Sequence, residues 1–180
     1  MTGAIPPSGS TYPEPPSQSP QETHRMLEIQ FETSVLGIFV SVTGQNGSMQ
    51  RQISQLKNGI NSGQPTSQLA TGVNQLVSQI NTTIIPGKPQ FPTFLFSSEG
   101  SQAQALTHHA ITLEKCLNTL SQNGQLPWAQ ESKMFNELST LISVIPQITP
   151  QQASSKLNDV IDQANANLPG QYQIPSLPQS

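Results

Sequence analysis

Apolar positions recur every three or four residues along most of the chain, the spacing that places them on one face of an α-helix. Leu27, Phe31, Val35, Ile38 and Val42 form the first stripe, while Met26, Ile29, Leu36, Phe39 and Val40 fall on the other faces. A helix apolar all round belongs at the centre of a bundle. Met49, Ile53, Leu56 and Ile60 predict a second helix, ended by Asn61-Ser62-Gly63, and Leu69, Val73, Leu76 and Ile80 a third, capped by Thr66 and closed by Pro86-Gly87-Lys88-Pro89. The most regular run is Ala103, Leu106, Ala110, Leu113, Leu117 and Leu120, a heptad-like seam ending at Asn123-Gly124. Phe135, Leu138, Ile142 and Ile145 predict a fifth helix from about Pro127 to Val144, stopped by Pro146. A sixth carries Leu157, Val160 or Ile161, Ala164 and Leu168 before Pro169-Gly170.

Two start signals sharpen these boundaries. Ser19-Pro20-Gln21-Glu22 and Thr149-Pro150-Gln151-Gln152 each pair a capping hydroxyl with Pro in the first turn and Glu or Gln three residues later. The expected fold is all-α: a bundle of about five to six mainly antiparallel helices with coiled-coil-like packing. Residues 1–19 are expected to form a disordered Pro/Ser-rich arm, 20–169 a single domain and 170–180 a disordered tail. Similarity among the helices is read as shared periodicity, without a repeat signature.

Composition then narrows the function. Only 9% of residues are charged, the net charge is −3, and Gln, Ser, Thr and Asn supply 72 of 180 positions. The 7 Lys and Arg form no basic stripe for neutralising phosphates, which argues against nucleic acid. The first 21 residues contain no Lys or Arg, and the most apolar window, Val35 to Val42, is too short to cross a bilayer, so neither a cleaved Sec-type signal nor a transmembrane segment is expected. The location is then cytoplasmic, or exported without such a signal.

Candidate chemistry is sparse. Cys116 is the only cysteine, which excludes an intrachain disulfide, and seven residues separate it from His109. That spacing is about 10.5 Å along a helix, too far for the two to chelate one metal or form a nucleophilic pair. A zinc site would have to recruit His24, Glu114, Asp159 or Asp162 from elsewhere, and the histidines read instead as solvated or helix-flanking. Asp159 and Asp162 lie a turn apart on what reads as a solvated face. No catalytic residue, metal or cofactor is assigned.

The residues singled out for interaction are apolar. Phe91, Phe94, Leu95 and Phe96 crowd a connector that would ordinarily be polar, and either lid the bundle or dock on a partner. Leu106, Leu113, Leu117 and Leu120 line the seam, and Trp128 closes the following turn or joins an interface. The implied function is non-enzymatic, acting as a homo-oligomer or on a protein partner; the alternative is a module that encloses an apolar ligand or grips a target helix. In composition, the uncharged Pro/Ser-rich start and Gln/Ser/Asn-rich body resemble substrates of needle-type bacterial secretion machines. That resemblance implies an exported, virulence-associated structural component.

Overall fold

The computed structural model describes residues 19–179 apart from 45–46, 85–89, 99–100 and 127, and for 128–131 the backbone alone. Among the described residues six α-helices follow in order: α1 (Pro20–Val42), α2 (Ser48–Asn61), α3 (Thr66–Thr83), α4 (Gln102–Gln122), α5 (Trp128–Val144) and α6 (Pro150–Asn165). No strand occurs among the described residues, so the expected all-α bundle is the architecture found. The arm expected over residues 1–19 lies, but for Ser19, outside the described residues, as does the Pro86-Gly87-Lys88-Pro89 stop.

Both start signals operate, in different ways. At α6 the Thr149 hydroxyl accepts from the Gln152 amide, and the Gln152 side chain accepts from the Thr149 amide, completing a capping box. At α1 the Ser19 hydroxyl accepts from the Glu22 amide, but the Glu22 carboxylate turns to another helix. It accepts from the Thr66 amide at 3.2 Å and the Thr66 hydroxyl at 2.6 Å. Thr66 is therefore not the cap expected of it. Pro65 occupies that position, and α1 supplies the anion that satisfies the start of α3. Gly63 and Gly124 take positive φ (75° and 73°) just past α2 and α4, where the following amides fold back onto the Gly59 and Leu120 carbonyls.

The helices form two three-helix units. α1 contacts α2 and α3, which contact each other; α4 contacts α5 and α6, which contact each other; α1 and α4 join the units. α1 is the shared wall: Phe31, Val35 and Ile38 enter the core of the second unit, whereas Met26, Ile29, Leu36, Phe39 and Val40 enter the first. Its all-round apolarity thus has the expected cause, and of its described large apolar residues only Leu27 stands exposed, at 38%.

One face is rotated from expectation. α5 buries Met134, Leu138 and Leu141, with Ile145 buried in the 3-10 turn that follows, and leaves Phe135 and Ile142 partly covered. Both sets have helical spacing and share Leu138 and Ile145, so periodicity alone could not choose between adjacent faces.

Each unit ends in an extended strap packed along its third helix. Strap one, residues 90–96, follows α3, and strap two, residues 173–179, follows α6. The stretch from 170 was expected to be a disordered tail. Instead Gly170–Tyr172 makes a 3-10 turn, and Ile174 and Leu177 are buried in the core of the second unit. The reason is side-chain hydrogen bonding to the strap backbone, described below, which composition does not reveal.

Candidate functional site

The apolar residues chosen from the sequence lie mostly inside the molecule. Leu106, Leu113, Leu117 and Leu120 are at most 2% exposed and pack into the core of the second unit. Phe91, Phe94 and Phe96 are buried in the other core, with Leu95 partly covered. Phe91 meets Phe39 edge-on at 4.8 Å between ring centroids, and Phe94 meets Phe96 at 5.0 Å. Within this chain the Phe-rich connector lids the bundle. Trp128 opens α5, and its side chain lies outside the described residues.

The polar chemistry gathers where α1 crosses α4. His109, expected at a solvated flank, is fully buried, and its ring packs against Phe31 at 5.9 Å and Phe94 at 5.7 Å. Its Nε2–H donates to Glu28 Oε2 at 2.7 Å, while His24 Nδ1 lies 3.2 Å from Glu28 Oε1. The Ser97 amide also donates to the Glu28 carboxylate, at 3.0 Å to Oε2. Arg25 stands over the Phe96 ring at 5.2 Å, and its Nε donates to Ser98 Oγ. One carboxylate on α1 therefore ties α4 and the end of strap one to the shared wall.

One turn along α1, Glu32 is equally buried but less well served. Its Oε2, His109 Nδ1, Thr33 Oγ1 and Thr112 Oγ1 have no hydrogen-bond partner. Burial pushes the Glu32 carboxyl up to about 7, against the opposing influence of His109 and the nearby Thr112 hydroxyl, with the Glu28 charge adding to the rise. Burial would raise Glu28 too; the hydrogen bond and field of His109, the Ser97 amide and His24 together outweigh it and hold Glu28 below the ordinary carboxylate range. The sequence carried a signal for this cluster: Glu28 and Glu32 lie one turn apart on a helix whose apolar residues spread over all its faces, and such residues must find partners when buried.

Chemically, the cluster can hold a proton and fix the register of α1 against α4. Glu28, Glu32 and His109 are each no more than 1% exposed, so no reactant reaches them in this conformation. Among the described residues no group of three or more His, Cys, Asp and Glu could hold a metal ion. Cys116 is fully buried, and burial pushes its thiol up, away from the nucleophilic thiolate. Asp159 and Asp162 stand exposed on α6, the solvated face the sequence suggested.

The second constellation escaped the sequence reading altogether. Four asparagines, two on α3 and two on α6, each grip one strap residue through both amide atoms. Asn81 accepts from the Phe91 amide at 2.8 Å and donates to its carbonyl at 3.0 Å; Asn74 does the same to Phe94 at 2.8 and 3.2 Å. Asn165 grips Ile174 with two bonds of 2.8 Å, and Asn158 grips Leu177 at 2.8 and 3.0 Å.

The spacing explains the fit. Seven residues of helix advance about 10.5 Å, and three residues of extended chain about 10 Å. Asparagines seven apart on a helix therefore meet strap residues three apart, with the strap running back against the helix direction. The same letters recur: Asn74, Gln79 and Asn81 answer to Asn158, Gln163 and Asn165, and Gln90-Phe91-Pro92-Thr93-Phe94 to Gln173-Ile174-Pro175-Ser176-Leu177. The two units share a clamp as well as a helical plan, which corrects the reading of the similarity as periodicity alone. Paired asparagines on the edge of an apolar stripe, followed by an apolar-Pro-Ser/Thr-apolar run, would have been the signal.

No protein-family model, curated protein or solved structure matches the chain. Among the described residues no helix is long and apolar enough to cross a membrane.

Proposed function

We propose that the protein works without catalysis, as a helical building block that associates with copies of itself or with a protein partner. The observation carrying this reading is the contrast between interior and surface. The acid, base and thiol groups of Glu28, Glu32, His109 and Cys116 are sealed in the cores, while the coat is neutral and polar, with a net charge of −3 and 9% charged residues. Copies carrying so little charge repel one another weakly, which favours close approach. The heptad seam is filled within the chain, so contacts between molecules fall to the polar helix faces and to the straps. The compositional likeness to needle-type secretion substrates extends the same reading to an exported structural component.

Solution mass measured by light scattering from micromolar to millimolar protein tests it. The expected result is a mass rising with concentration above the 19.4 kDa of one chain. A constant 19.4 kDa across that range, with no protein recovered on immobilised chain from a purified candidate set, overturns the proposal.

A further inference from the structure

The clamp on α6 is a backbone-reading site. Each asparagine offers one acceptor and one donor in the spacing of a single peptide residue, so the pair recognises extended backbone, and the core beside it accepts the apolar side chains at two positions three apart. Extended Pro-containing chain loses little conformational freedom on docking, which suits the Pro175 position between the two gripped residues. The site's ligand is therefore visible in this structure: a Gln-apolar-Pro-Ser/Thr-apolar segment, here the chain's own strap two.

The two straps differ in how they are tied. Strap one joins α3 to α4, and its far end is further held through Ser97 on Glu28 and Ser98 on Arg25, so it cannot leave without dragging packed helices. Strap two is joined to α6 through residues 166–172, which include Pro169-Gly170, and its near end is held by the Gln173 side chain, which donates to the Asn165 and Leu168 carbonyls. Open grooves of about 310 and 320 Å³ flank it where Tyr172 and Pro175 approach α1 and α2. Lifting it breaks four asparagine hydrogen bonds and the two that Gln173 donates to the Asn165 and Leu168 carbonyls, and uncovers Ile174 and Leu177; docking it on a second copy restores those contacts.

We propose that α6 is the docking site for strap two of a second copy of this chain, so that copies associate by exchanging the Gln173–Leu177 segment. This rests on the self-association proposed above and names its route. The occupant is fixed by identity: the second copy presents the same residues to the same two asparagines, and the net change is one hinge opening and the association itself.

Complementation between two full-length variants tests the route. One carries Asn158→Ala with Asn165→Ala, and keeps its strap while losing its clamp. The other carries Ile174→Asp with Leu177→Asp, and keeps its clamp while losing its strap. Each alone should run as a single chain, and an equal mixture should give a species of twice the 19.4 kDa mass in native mass spectrometry. A mixture no heavier than its components overturns the proposal.

Should the strap variant lose its helical circular dichroism, the unmodified chain decides. Labelled and unlabelled copies mixed at millimolar concentration should form mixed dimers that fall at least tenfold in abundance when both copies carry Asn158→Ala with Asn165→Ala. Dimers that survive the double substitution overturn strap exchange while leaving self-association standing; single chains throughout overturn both.

Discussion

Glu28 and Glu32 lie one turn apart on α1 and respond to burial in opposite ways, because one carboxylate meets a full set of donors and the other does not. An unfolded glutamate loses its proton near 4.5, whereas folded Glu32 keeps its own up to about 7. Between those values the folded state binds more protons, so stability is present below pH 4.5 and is lost as the pH rises through 7. For Glu28, held below 4.5, the sign reverses: its contribution is present above that pH and lost as the solution becomes more acidic. Glu32→Gln should remove the first loss, flattening the decline between pH 4.5 and 7 and leaving the variant more stable than the parent above pH 7, by on the order of 3 kcal/mol. Urea unfolding at a series of pH values measures this. A parallel decline in parent and variant would mean that Glu32 is ionised without penalty. That these residues seek partners was legible in the sequence; that His109 supplies the partner for Glu28 was not, because α1 and α4 meet only through tertiary packing.

At the scale of elements, the helices and their ends were largely readable, because caps, Pro, Gly and apolar spacing act locally. Ser19 and Thr149 cap as their residue types dictate, and Gly63 and Gly124 terminate as theirs do. The straps were not readable in the same way, since Pro-rich composition argues for disorder until the asparagines that hold it are known. Asn165→Ala should release the Ile174 amide and carbonyl at a cost of about 1–3 kcal/mol, with amide exchange at Ile174 accelerating while that at Phe91, held by Asn81, is unchanged. Equal acceleration at both sites would show that the clamps act through global stability. Helix contacts set a second contrast. A Cβ on Gly37 would meet Ile53 at an ordinary 3.5 Å, whereas one on Gly59 would come within 2.8 Å of Leu69 Cδ2 and 2.6 Å of Gln64 Oε1. Gly37→Ala should therefore gain about 0.5–1 kcal/mol from helix propensity, whereas Gly59→Ala should lose more than that gain, because the buried Leu69 side chain must repack and the Gln64 side chain must move aside. Thermal midpoints of the two variants, moving in opposite directions from the parent, are the expected observation.

For the whole molecule, the decisive feature is that two similar three-helix units do not own separate walls. Phe31, Val35 and Ile38 of α1 fill one core and Leu36, Phe39 and Val40 the other, so unfolding the second unit alone would strip an apolar face from the helix on which the first depends. Three large side chains at about 1.5–3 kcal/mol each give a coupling of roughly 5–9 kcal/mol, comparable with the whole stability of an ordinary domain. The Glu28 bonds to His109 and Ser97 add to it, since separating α1 from α4 would leave a buried carboxylate and imidazole unpaired. Duplication of the plan therefore does not make two independent folding units. Amide exchange at Leu157 and Val160 on α6 reports on the second unit, and exchange at Leu69 and Val73 on α3 reports on the first. Their opening free energies should coincide. Leu36→Ala, which opens a cavity in the first core, should cost about 2–5 kcal/mol and lower the protection of the α6 amides by as much as that of the α3 amides, although the substituted side chain faces the first unit. Protection on α6 that stays in place while that on α3 falls would show that α1 stays with the second unit while the first melts away from it, and that the shared wall does not couple the pair.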